Sequence, residues 1–206
     1  MVIAFLTGFF LGLSLIVAIG AQNSFVLRQG IIGQHVFYLA LFCALSDTLL
    51  IIFGVAGISF FLNNFVTQFS NWLFGFSALW LLGYRILRLK AAFKANIMLE
   101  IEASKSKGLL STISIAAILT FANPHVYLDT MILIGSVSQQ FNGEDKLAFT
   151  LGASIASFVF FFILAYGAKL LEPVMRRPSS WRVLDCLIAF IMFTIAFKLV
   201  SIGNWL

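Results

Sequence analysis

Two carboxylates sit inside runs that are otherwise apolar. Asp47 interrupts CALSDTLLIIF, and Asp129 lies in FANPHVYLDTMILIG. At the centre of a transmembrane helix an aspartate costs about 2.5–3.5 kcal/mol on insertion scales, so intramembrane carboxylates mark cation sites or proton carriers by default. The simpler reading, an Asp paired with a neighbouring helix, lacks a basic partner in either run. Asn123, Pro124 and His125 share a seven-residue stretch with Asp129. Asn is a good N-cap and Pro is favoured at the first helical position, so Asn123-Pro124 reads as a helix starting within the membrane. A plain proline kink is the competing reading. His125 can relay a proton or bind a ligand; a lone His more often satisfies a backbone carbonyl.

A counterpart stands near the other end of the chain, in IGAQNSF. Here Gly20 is expected to end one half-helix, with Asn23 or Ser24 capping the next and Gln22 beside them. Two half-helix N-termini near the membrane midplane would aim partial positive charge at a common cavity, which suits an anionic group. Asp47 and Asp129 suit a cationic one. Together they describe a site for a zwitterion with an extra positive charge. Backbone exposed at such breaks needs water or a ligand, because lipid cannot satisfy it.

The composition leaves little room for anything but a membrane protein. Of 206 residues, 61% are hydrophobic and 10% charged, against about a quarter charged in soluble domains. Twenty-four Phe and four Trp fit a surface that faces lipid. The first apolar stretch has no basic residues before it and is longer than a signal-peptide core, so it reads as a span. Cys43 and Cys186 have no ligand-like spacing and read as buried thiols acting as small hydrophobes. The net charge of +5 does not point to nucleic acid, because the basic residues gather between apolar runs.

About 20 apolar residues span a bilayer core as a helix. The runs Val2–Leu27, His35–Leu62, Trp72–Leu89, Leu109–Val137, Leu147–Ala168 and Val183–Gly203 predict six transmembrane helices. They are too long and too uniform for barrel strands. Eleven of the thirteen basic residues fall at the ends of the first, third and fifth spans or in the connections after them: Arg28; Arg85, Arg88, Lys90, Lys94, Lys105 and Lys107; Lys169, Arg176, Arg177 and Arg182. Only Lys146 and Lys198 fall on the other side. The positive side faces the cytoplasm, which puts both termini outside.

The fold class is thus an all-α integral membrane protein, one transmembrane domain over residues 1–206. Its halves, about 1–95 and 108–206, are joined by a charged cytoplasmic linker. Three spans per half makes the second half inverted relative to the first, a three-plus-three inverted repeat with its first and fourth helices broken. A shift of 101 residues lays AQN of 21–23 on ANP of 122–124, and a shift of 110 lays Asp47 on Ser157. Gly8, Gly12, Gly152 and Ser154 are small enough to let helices approach closely.

At these residues the chain resembles the lysine/arginine exporter (LysE/ArgO) family. The matching stretches are GAQNSFVLRQG (20–30), CALSDTLLIIFGVAG (43–57), FANPHVYLDTMILIG (121–135) and GASIASFVFFF (152–162). The resemblance implies export of basic amino acids, lysine or arginine, across the bacterial inner membrane by a multi-pass carrier. It also implicates Asp47 and Asp129. Exchange for protons follows from the need to move a cation against the membrane potential. The partners expected are the cationic amino acid, protons and the lipid bilayer; a homo-oligomer is compatible with the sequence. No cofactor or resident metal is expected.

Two other classes compete with this reading. A divalent-cation exporter would use Asp47, Asp129, Asn123 and His125 as ligands, but half-helix N-termini repel cations. Intramembrane aspartyl proteases pair YD with GxGD. Here Leu128 separates Tyr127 from Asp129, and Ala-Leu-Ser precedes Asp47, so the chain is not expected to be an enzyme. The charge distribution carries a direct test. Reporter fusions after Lys107 and Arg177 should read cytoplasmic, and one after Leu206 should read outside; a cytoplasmic C-terminal reporter would overturn the termini-out arrangement.

Overall fold

In the computed structural model of the chain, the described residues are 1–17, 20–58, 108–123 and 126–171, with isolated positions within 79–86 and 173–193. The expected third and sixth spans and the charged linker fall largely or wholly outside the described residues, as do Pro124 and His125. Within the described residues every regular element is helical, and none is a strand.

The first apolar run is two helices, α1 (Val2–Ile16) and α2 (Ala21–Ile32), bent by 82° across a short break. α2 ends on Gly33, whose φ of 80° is the left-handed conformation that glycine adopts without a Cβ penalty. The turn continues through His35, itself at φ 53°. It leads into α3 (Val36–Phe53), which runs on into a π-helical turn, Gly54–Ile58.

The fourth apolar run is also divided. α4 (Leu109–Phe121) stops short of Asn123, a π-helical turn covers Tyr127–Leu133, and α5 (Ile134–Ser138) completes it. α6 (Gly143–Gly167) follows, with Glu144 and Asp145 in its first turn, where the helix dipole favours negative charge. A 3-10 turn, Ala168–Leu171, prolongs it. By length and composition Val36–Ala56 and Gly143–Leu171 can each cross a membrane, and α1 with α2 form a third, bent, candidate.

The long contact between α1 and α6 is made possible by glycine. A methyl at Gly8 would strike the Phe149 carbonyl, one at Gly152 would strike the Phe5 carbonyl, and one at Gly12 would press on Ala153 Cα at 3.2 Å. The small residues read from the sequence therefore serve close backbone approach. The two unbroken helices, α3 and α6, also pack against each other. Of the two cysteines, Cys43 is buried as expected, whereas Cys186 is exposed. The outer face of a membrane helix meets lipid, so an apolar thiol loses nothing there.

Buried apolar residues form two clusters. One joins Ile16, Phe25, Val26, Leu39, Cys43, Leu119 and Phe161; the other joins Ala4, Ile51, Ile134, Phe149 and Ala153. On α3, Asp47 lies one turn from Cys43 of the first cluster and one turn from Ile51 of the second. On α6, Ser157 lies likewise between Ala153 and Phe161. Both are buried. A polar level thus separates the two apolar ones.

Gly152 tests the helix contact. Gly152→Leu should lower stability by about 1–3 kcal/mol through overpacking, read as a loss of thermal stability of the purified protein. Gly167→Ala, in the last turn of α6 where a Cβ meets nothing within 4 Å, should not lower it. Equal behaviour of the two would show that the α1–α6 approach is not tight.

Candidate functional site

The site is assembled where the chain stops being regular. An α-helix that ends leaves its last carbonyls without intrahelical donors, and in lipid those groups must be satisfied from within the protein. At the first break Asn23 does this: its Nδ2 donates to the Ile16 carbonyl at 2.7 Å, joining α2 back to the end of α1. This corrects the expected capping. Gly20, in extended conformation, is the N-cap of α2 rather than the end of α1, and no side chain caps the helix. Ser24 Oγ donates to the Gly20 carbonyl at 2.7 Å. The carbonyl at the end of α1 lies in apolar surroundings, so its demand for a donor takes the Asn23 amide away from the role of N-cap.

The second break uses the same device with a different residue. The Tyr127 hydroxyl donates to the Phe121 carbonyl, the last of α4, at 2.8 Å. The Val126 N–H donates to the Asn123 carbonyl at 3.2 Å, opening the next helical segment. Asn123 is buried, and Thr130 Oγ1 donates to the Val126 carbonyl.

Across the first break lies Asp47. Its side chain is buried, 5% exposed, at mid-length of α3. The Gln22 amide, from the first turn of α2, faces both the Asp47 carboxyl and the Cys43 thiol one turn away. Gln22 is buried too. Gln22, Asn23 and Asp47 of the expected site are thus gathered at the first break. Asp129 is half-buried in the π-helical turn Tyr127–Leu133, which packs against α3 and against the π-helical turn Gly54–Ile58. A methyl at Gly54 would run into the Met131 carbonyl there.

Sequence reasoning missed three features. Tyr127 was read only as part of a motif, and its hydroxyl contact reaches back six residues across an unpredictable bend. The π-helical turns have no sequence signature, although such turns gather at functional sites. Cys43 read as an ordinary core residue, and the proximity of Gln22 could not be foreseen from spacing. Among the described residues no three His, Cys, Asp or Glu side chains are grouped to hold a metal ion.

The family model described as LysE type translocator matches residues 13–203. The chain belongs to that family. It is 37% identical to the arginine exporter protein ArgO of Salmonella paratyphi A over 207 aligned residues, 98% of this chain and 96% of the relative. The same identity and coverage hold for the arginine exporter proteins ArgO of Salmonella enteritidis PT4 and Salmonella typhimurium LT2. No solved structure matches. This LysE translocator is therefore a membrane transport protein rather than a protease.

The two side-chain links across the breaks can be weighed separately. Asn23→Ala leaves a buried carbonyl without that donor and should cost about 1–3 kcal/mol, lowering the thermal midpoint. Tyr127→Phe, at a half-buried position, should cost about 1 kcal/mol or less. An unchanged midpoint for Asn23→Ala would mean that the α1–α2 junction is held by other contacts.

Proposed function

We propose that this LysE translocator exports basic amino acids, arginine foremost, across the bacterial inner membrane in exchange for protons. The observation that carries the reading is Asp47: a carboxyl buried between two apolar clusters, beside a helix break, in a chain 37% identical to arginine exporters over nearly its whole length. A buried carboxylate needs a cation or a proton, and an exporter of a cation can use both in turn. Asp129, in the π-helical turn packed on α3, is the second carboxylate of the site. Asn123 contributes at the second break, with Pro124 and His125 as candidates that lie outside the described residues, and Gln22 with Asn23 contributes at the first.

The architecture proposed is six helices in a three-plus-three inverted repeat over residues 1–206. The halves are about 1–95 and 108–206, and the connecting segment is cytoplasmic. Support comes from the matching order of elements in the described parts of the two halves: a broken helix, then a long unbroken one. Asp47 and Ser157 hold equivalent places in the unbroken pair.

Coupling follows from the charge moved. A cationic amino acid leaving the cell climbs the membrane potential, at about 2.3 kcal/mol per charge per 100 mV. Passive export would leave it inside. Entry of one proton per substrate cancels that charge movement and adds the pH gradient as a driving force. A carboxylate that holds the substrate cation releases it on protonation, so proton and substrate compete for one site.

In vesicles containing the purified protein and loaded with labelled arginine, an inward proton gradient should accelerate efflux and a protonophore should slow it. Asp47→Asn and Asp129→Asn should each abolish efflux while the protein still reaches the membrane. Efflux indifferent to the gradient at fixed potential would rule out antiport. Wild-type rates in both variants would remove the aspartates from the site.

A further inference from the structure

We infer that Gly54 is a positioning residue for Asp129: its bare α-carbon seats the π-helical turn that carries this carboxylate against the face of α3 that carries Asp47. The inference rests on the exporter reading and deepens it, because it names what holds the second carboxylate of that site in place.

Three observations converge on this. Gly54 follows Asp47 by two helical turns, so the two lie on the same side of α3, and Ile51 between them is buried with Val55 and Ile134 in one apolar cluster. The nearest atoms to a Cβ at Gly54 would all be backbone: the Met131 carbonyl oxygen at 2.4 Å, its Cα at 2.9 Å and its carbonyl carbon at 3.0 Å. A side chain could swing aside from a methyl, but this backbone can yield only by moving the turn. Finally, the Met131 carbonyl closes that turn. It accepts the Ile134 N–H where the π-helical stretch Tyr127–Leu133 passes into α5, and Asp129 lies two residues before it.

The other close glycines, Gly8, Gly12, Gly30 and Gly152, lie in regular helices and face α1, α2 or the stretch of α6 with its 3-10 extension. A regular helix pushed sideways keeps its own hydrogen bonds. A π-helical turn is a local exception to the α-helical ladder. Its return to α-helical register would turn the residues on one side of it by about 100° relative to those on the other. The Gly54 contact falls on the carbonyl that ends the π-helical stretch, so it holds that register and with it the direction of the Asp129 carboxylate. A methyl at Gly54 would require the Met131 backbone to retreat by about 1 Å to reach ordinary contact.

Efflux of labelled arginine from vesicles containing the purified full-length protein, with Tm measured alongside, tests this. Gly54→Ala should lower kcat/KM about tenfold or more, as a displacement of that size does at a reacting group. Asp129→Glu, whose carboxylate reaches one methylene further, should be impaired alone, yet the double variant should exceed both single ones because the longer arm spans the gap. The same Glu should not restore Gly12→Ala, where the crowding falls on the α1–α6 contact instead. Wild-type kcat/KM in Gly54→Ala overturns the inference. So does a double variant no better than Gly54→Ala alone, which is the mark of a purely structural glycine. Val55→Ala loosens the same seat without adding an atom to it and should lower kcat/KM well below its Tm; an unchanged value overturns the inference even where Gly54→Ala does not fold. The exporter reading stands or falls on whether the wild type releases arginine at all, whereas the inference falls on the variants while wild-type export stands.

Discussion

Every backbone carbonyl and N–H at membrane depth must find its partner inside the protein. A continuous helix meets that demand by itself. Among the described residues two helices are broken, between Ile16 and Ala21 and between Phe121 and Val126, and each break exposes a helix end that lipid cannot solvate. The breaks persist because a side chain from beyond each one reaches back: Asn23 to the Ile16 carbonyl and Tyr127 to the Phe121 carbonyl. Each donor removes an unsatisfied carbonyl from the cost of its break, and a broken helix, unlike a continuous one, has backbone to offer a ligand.

The same constraint explains the density of glycine and alanine around the breaks. A bent helix can be held at a sharp angle only if its halves pack closely on something straight, and α6 supplies that rod. Gly8, Gly12 and Gly152 remove the side chains that would hold α1 away from it, and Gly30 does the same for α2 against Ala165. Dispersion contacts do this holding, since helices in lipid gain no hydrophobic driving force from meeting each other. The glycine contacts therefore maintain the geometry that puts Gln22 opposite Asp47.

Much of this was legible in the sequence. The membrane class, the two broken helices and the singling out of Asp47, which the fold buries, all follow from what is costly in lipid, and cost can be read from residue type. The roles of particular polar groups at the breaks were less legible. Asn23 has the chemistry of an N-cap, yet it donates backwards, because a competing demand arises only once the 82° bend exists. Gln22 stood among the candidate site residues without an assigned partner; that it faces α3 is a tertiary fact. The π-helical turn around Asp129 was invisible, since it depends on local register rather than composition. Spacing identifies groups that need partners, and only the fold says which partner each one gets.

The division of the core follows from the breaks. The cluster on one side of the Asp47 level takes α2 and α4 with the last residue of α1; the cluster on the other side takes the start of α1 and α5. Each broken helix thus gives one half to each cluster, while α3 and α6 run through both. In an alternating-access carrier the site must open to one side at a time. A continuous helix would couple the two sides rigidly, since moving one end moves the other. A helix broken at the level of the site lets one cluster loosen while the other stays packed, with α3 and α6 as the frame common to both. On the exporter reading, the breaks serve two purposes that cannot be separated: they bring backbone to the substrate, and they make the two apolar clusters independent enough to act as gates.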